Sequence, residues 1–497
     1  MTNRCVDIVV GLAAGSEGKG KLVSMIAQNY KALVRTGGPN AAHTVYFNGK
    51  KVAFHQIPCG ALHAPEAKLI LGANAQIDVE YLKKEIEILK EHNCYLGSDG
   101  KPRLVIDPLA TIIDPIDKIA ENGGRMPDCG DLYFHPRDCE VHNNQLGNTC
   151  MGCPKLPKDS AWSLFGSTTH GAGANLARKA LRGSKMAVLA GQKLDLAAYV
   201  RSKSKNPESM TVDEIGEALL ELTQEPIKDW AEHVEVEPLR FAPDDEFTKQ
   251  FVGHTVDILN KMVDNNEAIM LEGTQGSLLS LHHSYWPKCT SRDTNASNWV
   301  TDAGLSPLTV REVYGVTRTF PIRVAGNSGP LSGTEISWDE VTSHATGAPV
   351  VEWKRRLEEL MLQFNAMERK DPELDSTIFE EMEDLKALIA AAPVIKEITT
   401  ATKRERRVFI FGEADFSKSV AINRPTKLTL TFVDYLNIED KDKSSWDSLS
   451  QRTRDWITTL ESKLGVFFNY LSTGPLPEHT VIRKSPGELV VQIQAGS

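Results

Sequence analysis

A glycine-rich segment near the start of the chain narrows its fold more than any other feature. Residues 6–12 form a short β-branched run that ends in Ala13-Ala14-Gly15, and residues 21–29 carry a helical pattern. Gly15-Ser16-Glu17-Gly18-Lys19-Gly20-Lys21 therefore joins a buried strand to a helix. Glycines let successive backbone N–H groups turn inward onto phosphate oxygens. The helix N-terminus adds about half a positive charge, and lysines add full ones. The segment satisfies G-x-x-x-x-G-K, but Leu22 stands where the usual phosphate loop has Ser or Thr for magnesium. It reads as a phosphate loop that holds its metal another way.

Further strands are expected at 32–35, 68–71, 103–106, 186–189, 268–271, 407–411 and 428–432. Helical patterns at 79–92, 174–181 and 247–263 separate several of them. That alternation predicts an α/β fold around a large, mostly parallel central sheet. The body covers 1–341 and 396–497, and two segments look added to it. One, about 122–160, is rich in Gly, Pro, Asn, Asp, Cys and His. The other, 342–395, repeats apolar residues at helical spacing (Trp353, Leu357, Leu360, Phe364, Met367, then Ile378, Met382, Leu385, Ile389) with a break at Asp371-Pro372. It reads as a helical hairpin.

With 41% hydrophobic and 25% charged residues, the 497-residue chain has a globular composition. Its net charge of −10 argues against a nonspecific duplex binder, which works by neutralising phosphates. No apolar run approaches the roughly 20 residues of a membrane span, and the first residues lack a signal-peptide layout. Neither nucleic acid nor a membrane is an expected partner. Eight cysteines are too sparse for a disulfide scaffold, which points to a reducing, cytoplasmic compartment, the host's if the chain is viral. Cys129, Cys139, Cys150 and Cys153 cluster with His135 and His142, and Cys150-Met151-Gly152-Cys153 is a C-x-x-C knuckle. A structural Zn2+ site and a surface loop with free thiols both fit this spacing.

The phosphate loop together with Gly37-Gly38-Pro39-Asn40-Ala41-Ala42-His43-Thr44 resembles adenylosuccinate synthetase, which uses GTP to join aspartate to C6 of inosine monophosphate (IMP). The resemblance recurs in order down the chain. Residues 166–174 (GSTTHGAGA) look like the family's nucleotide-phosphate loop, and Glu272-Gly273-Thr274-Gln275-Gly276 like its purine-reading loop. Residues 400–407 (TATKRERR) look like its aspartate loop, and Ser472-Thr473-Gly474-Pro475 sits where the family closes over the donor base.

One departure matters. The family's ordinary members carry Asp after the first loop glycine, as general base toward purine N1 and as magnesium ligand; here the residue is Ser16. A hydroxyl cannot be a general base near neutral pH. A viral branch of the family, 2-aminoadenylosuccinate synthetase (N6-succino-2-amino-2'-deoxyadenylate synthase), also has Ser here and acts on dGMP. Cys289-Thr290-Ser291-Arg292-Asp293 and Arg406-Arg407-Val408-Phe409 resemble that branch too, although archaeal-type synthetases carry text like the first. Guanine bears a 2-amino group beside N1, and a shorter, neutral side chain leaves room for it.

The resemblance implies site roles. Ser16, Lys19 and His43 are the expected catalytic residues, His43 as the acid. Gly15, Glu17, Gly18, Lys19, Gly20, Lys21 and Thr44 would hold the donor's phosphates, and Asp434, Ser472, Gly474 and Pro475 its base. Phe432 replaces a family lysine beside that base, and the donor is expected to be ATP or dATP, with GTP as the other choice. Ser16, Asn40, Thr168, Gln275, Thr290 and Arg178 would hold the acceptor nucleotide, Arg178 from the second subunit of a homodimer. Thr400, Thr402 and Arg404 would take L-aspartate, and the Ala42 carbonyl would bind Mg2+. The leading expectation is a ligase joining aspartate to dGMP through a 6-phosphoryl intermediate. The alternatives are an adenylosuccinate synthetase using IMP and GTP, and a catalytically silent nucleotide-binding regulator.

Overall fold

The computed structural model describes residues 3–114, 117–118, 171–180, 239–366, 372–398 and 405–485. Its centre is a nine-stranded sheet. In chain order the strands are β1 (Val6–Gly11), β2 (Ala32–Arg35), β3 (Lys68–Leu71), β4 (Leu104–Ile106), β5 (Ile269–Glu272), β6 (Val310–Arg318), β7 (Lys427–Thr431), β8 (Phe468–Ser472) and β9 (Thr480–Ile482). Their order across the sheet is β9-β8-β7-β6-β1-β5-β2-β3-β4. All are parallel except β9, which runs antiparallel to β8 at the edge.

A parallel sheet is covered on both faces, so its strands are apolar throughout. Every residue of β1 and β2 is buried. The alternation of side chains separates two cores. Val9, Leu33, Leu69 and Met270 face α1 (Lys19–Ile26) and α2 (Val79–Glu91), meeting Leu22, Val23, Leu82 and Ile86. Ile8, Val10, Val34, Ile70 and Leu271 face the other side, against Leu259, Trp299, Phe416 and Ile457. Asp78 starts α2 by accepting hydrogen bonds from the N–H groups of Glu80 and Tyr81.

One polar residue interrupts the central strand. Asp7 is buried on β1 and accepts from Arg311 Nε at 2.9 Å and Nη2 at 2.6 Å, from the Tyr30 hydroxyl at 2.7 Å and from the Glu312 N–H at 3.1 Å. Four donors replace the water that burial removes. They also bind β1 to β6 at the end of the sheet away from the phosphate loop.

The strands expected at 32–35 and 68–71 match β2 and β3, and the first helix begins two residues earlier than expected. Two further strands, β6 beside β1 and β8 next to the edge, carry no clear alternation in the sequence. The run at 407–411 forms Arg407–Phe409, which belongs to a separate three-stranded sheet with Ile322–Arg323 and Glu335–Ile336. Downstream, Val350–Ala366 and Pro372–Ala391 are helices that pack through Trp353, Leu357, Leu360 and Phe364 against Ile378, Met382 and Leu385. Pro372 opens its helix, where a missing N–H costs nothing. The strand expected at 186–189 and the Cys/His-rich segment, with Cys129, Cys139, Cys150 and Cys153, lie outside the described residues.

Replacing Asp7 by Ala should cost about 3 kcal/mol, because it strips a buried hydroxyl and a guanidinium of their acceptor. Tyr30→Phe, which removes one hydrogen bond, should cost about 1 kcal/mol. Urea unfolding of both variants checks that order.

Candidate active site

The carboxyl ends of five parallel strands, β1, β2, β5, β7 and β8, open onto one cleft of about 1290 Å³. That exceeds the roughly 300–1,000 Å³ of a single small-molecule site. The cleft is the crevice at the strand carboxyl ends where open α/β sheets bind ligands.

After β1 the chain turns through Gly15 (φ 90°), Ser16 (φ 56°) and Gly18 (φ 81°) into α1. Ser16 thus holds a left-handed conformation that costs a side-chain-bearing residue about 1–2 kcal/mol. Glu17 is fully buried. Its carboxylate accepts from Gly15 N–H at 2.8 Å and Ala13 N–H at 3.2 Å, and pairs with Lys19 Nζ at 2.6 Å. It can therefore serve a donor phosphate only through its backbone. Lys19 also donates to the Gln275 carbonyl, tying the loop after β1 to the loop after β5.

His43 opens the hairpin His43–Phe47/Lys50–Phe54, whose presence the sequence did not announce. Its Nδ1 lies 2.5 Å from Glu272 Oε1 at the end of β5. Glu272 also accepts from Cys59 N–H at 2.8 Å and stands 3.4 Å from Arg35 Nη1 at the end of β2. Burial, with Arg35 adding to it, pushes His43 down to about 4. Burial would raise Glu272, but the hydrogen bond from His43 and the charge of Arg35 outweigh it and hold the carboxyl at about 2. At neutral pH the pair is an ionised carboxylate and a neutral imidazole. A carboxylate only accepts, so Nδ1 carries the proton and Nε2 keeps its lone pair.

Asn40, Ala42 and Thr44 lie along the same wall. Arg35 Nη2 donates to the Ala41 carbonyl, whereas no hydrogen bond among the described residues uses the Ala42 carbonyl. A carbonyl at the cleft wall suits Mg2+, a hard cation that takes oxygen ligands and draws most of them from phosphates and water. Opposite, Gln275 (φ 60°) donates from Nε2 to Thr290 Oγ1 at 2.9 Å, and its Oε1 is buried without a partner. That orphan acceptor fits an N–H of a bound base.

Toward the donor end, Lys21 points away from the loop. Its ammonium donates to Ser472 Oγ and the Gly474 carbonyl, each at 2.7 Å, and to the His479 carbonyl at 2.6 Å. Burial lowers Lys21 to about 7, opposed by Asp434 and Asp442; burial raises Asp434 to about 7. Pro475 completes this wall, and Phe432 (φ 57°) sits under the Arg318 guanidinium at 3.8 Å. Thr168, Thr400, Thr402 and Arg404 lie outside the described residues, and Arg178 is in the helix Ala172–Ala180 with its side chain undescribed.

One cleft residue has no separate role in the sequence reading. Arg406, which belongs to both the basic run and the R-R-V-F stretch, donates from Nη1 to Ser16 Oγ. Arg318, at the end of β6, donates to the Ser16 carbonyl at 3.1 Å. The R-E-R-R run was the available signal, but it does not say which arginine turns inward.

A parallel sheet whose strand ends carry a glycine-rich loop at a helix N-terminus and an imidazole–carboxylate pair has the form of a nucleotide-binding enzyme. The family model described as adenylosuccinate synthetase matches residues 8–124 and 158–443, passing over most of the Cys/His-rich segment. The chain belongs to the adenylosuccinate synthetase family and is a carbon–nitrogen ligase. It is similar to the adenylosuccinate synthetase of Methanocaldococcus jannaschii, 28% identical over 477 residues that cover 95% of each chain. The enzyme of Thermococcus sibiricus is 26% identical, covering 95% of this chain and 97% of its own. Among solved structures, fully ligated adenylosuccinate synthetase from Plasmodium falciparum matches with a TM-score of 0.60 at 18% identity, over 97% of this chain and all of its own. Succinoaminodeoxyadenylate synthetase of cyanophage S-2L, bound to dGMP and to dATP as an energy donor, matches with a TM-score of 0.55 at 19% identity, over 99% of each chain. These two likenesses show the fold.

A donor phosphate beside Nε2 favours protonated His43, so the complex should bind more protons than the free enzyme and donor affinity should rise as pH falls toward 6. Calorimetry of donor binding at pH 7 in buffers of different ionisation enthalpy should show this uptake. His43→Asn should abolish the His43 share of it and lower kcat about 10²–10⁴-fold.

Proposed function

We propose that this chain uses a nucleoside triphosphate to join L-aspartate to C6 of dGMP, giving 2-amino-2'-deoxy-N6-succinyladenylate. The ligase class follows from the family; the acceptor rests on Ser16. Where the family's ordinary members set a carboxylate against N1, this chain has a short neutral side chain already engaged with Arg406. Guanine needs space and an acceptor beside N1 for its 2-amino group. The unpartnered Gln275 Oε1 on the same wall supplies an acceptor, and an unmet buried acceptor costs about 1–3 kcal/mol. The cyanophage enzyme bound to dGMP shares the fold.

The named relatives support the other acceptor. Those described above are adenylosuccinate synthetases matched over nearly the whole chain, and on that ground IMP with GTP has the broader support from the comparisons. A silent regulator is disfavoured by the retained Lys19, by the His43–Glu272 pair and by Gln275, since binding alone needs no such constellation.

In this reading, Lys19 and the loop N–H groups hold the donor's phosphates in line with the purine O6. Protonated His43, oriented by Glu272, stabilises the departing diphosphate. The aspartate amine then displaces phosphate from C6. Thr400, Thr402 and Arg404 are assigned to aspartate, since a guanidinium matches a carboxylate bidentately. Thr168, Asn40 and Thr290 go to the acceptor's phosphate region, with Arg178 contributed across a homodimer. The Ala42 carbonyl and the donor's phosphates would hold Mg2+, which would supply neutralisation of phosphate charge. Asp434 accepts from the donor base; with Phe432 in place of the family lysine it could take guanine or an adenine amino group, and the likeness to the viral branch, whose cyanophage member binds dATP as energy donor, favours ATP or dATP. A structural Zn2+ on Cys129, Cys139, Cys150 and Cys153 remains part of the proposal.

With aspartate and donor present, dGMP should give product with a kcat/KM about tenfold or more above that of IMP, a difference of about 1.4 kcal/mol. Product from IMP alone overturns the acceptor assignment. Competition among ATP, dATP and GTP in a phosphate-release assay should favour the adenine nucleotides; strict dependence on GTP sinks that choice.

A further inference from the structure

Ser16 is gripped from two sides. Its carbonyl accepts from Arg318 at 3.1 Å, and its hydroxyl accepts from Arg406. Arg406 is itself fixed: its N–H donates to the Glu397 carbonyl at 3.0 Å, and Trp338 Nε1 donates to its own carbonyl at 2.7 Å. The Glu397 carboxylate pairs with Arg318 and accepts from the Tyr435 hydroxyl at 3.3 Å. That one carboxylate is paired with Arg318 and acts on Arg406 only as a neighbouring charge, and Ser16 adds no charge. Among the described residues, the nearby Lys19 and Lys396 are already paired, with Glu17 and Glu405. Among the described residues that touch Ser16, the two guanidiniums thus carry one more charge than the Glu397 carboxylate offsets. Arg406 lines the same cleft as Gln275.

A guanidinium cannot take a proton, but it can stabilise an anion. We propose that Arg406, held by Ser16, faces the N1–O6 edge of the acceptor and stabilises the purine after N1 has lost its proton to solvent, so that no dedicated base is required. The N1–H bond breaks and the proton passes to water. The electron pair delocalises onto O6, which bonds to the γ-phosphorus as the bridging P–O bond breaks and its electrons leave on the nucleoside diphosphate. This inference rests on the ligase reading and holds for either dGMP or IMP. An acid at position 16 would take the N1 proton itself and cancel the surplus charge. An alcohol leaves the charge free, so the two devices exclude each other. Burial works against the charged form of Arg406, and Arg318 adds to that while Glu397 and Tyr435 oppose it. An anion arriving beside Arg406 relieves this.

The test uses the full chain. The acceptor nucleotide is bound without triphosphate, and its ultraviolet spectrum, which changes when N1 ionises, is followed against pH. The bound nucleotide should ionise about 1–3 pH units below the free one. Arg406→Gln should return it toward the free value, Arg406→Lys should keep part of the shift, and Ser16→Asp should reduce it. In turnover, Arg406→Gln should move the acidic limb of the kcat profile upward, losing about tenfold or more at pH 7 and recovering in alkali. Ionisation at the free value in the unaltered enzyme, or an equal loss at every pH in Arg406→Gln, overturns the proposal. A bound, acidified nucleotide with no turnover upholds it and removes the ligase reading instead. Failure to bind the nucleotide removes both.

Discussion

The buried carboxylate of Glu17 is the constraint on which the site depends. It accepts from two N–H groups of its own loop and pairs with Lys19, which reaches on to Gln275. The backbone has made room for it. A Cβ on Gly11 would come within 2.6 Å of this carboxylate and one on Gly276 within 2.2 Å. Two neighbouring strands, β1 and β5, therefore end in glycine-containing turns that close around one acid. The loop after β1 and the loop after β5 are held as a unit, so the two sides of the cleft keep a fixed relation.

A second theme is the distribution of charge. The chain carries a net charge of −10, yet its cleft is lined by the ends of Lys19, Lys21, Arg323 and Arg406. Anionic nucleotides need a local cationic field, not a basic protein. Acids around the cleft offset part of this charge: Glu17 pairs with Lys19, Glu272 with Arg35 and Glu397 with Arg318. Glu272 illustrates the arrangement: it faces Arg35, His43 and the Cys59 N–H together, and so sets the tautomer of the imidazole at the cleft.

Much of this was legible in the residue order because it is local. A β-branched run, a glycine loop and a helix are neighbours in sequence, and β1, the phosphate loop and α1 followed from them. Residues 32–35 and 68–71 are short apolar runs between turns, and they are β2 and β3. By contrast, β6 reads Val-Arg-Glu-Val-Tyr-Gly-Val-Thr-Arg, and its first half is only partly covered, so its polar residues mask a strand that lies beside β1 at the centre. The hairpin from His43 was hidden because its residues are read first as part of a motif.

The sequence alone determined the class of chemistry: a phosphate loop and the residue types that meet nucleotides, with the resemblance to a family marking position 16 as the departure. Those follow from side-chain identity and from spacing within a few residues. Only the tertiary structure decided which charges are spent. Glu17 turned inward, Lys21 turned to the loop after β8, and Arg406 came onto Ser16 from 390 residues away. Such pairings depend on which strand ends lie side by side, and chain folding sets that adjacency across distances that no local pattern encodes.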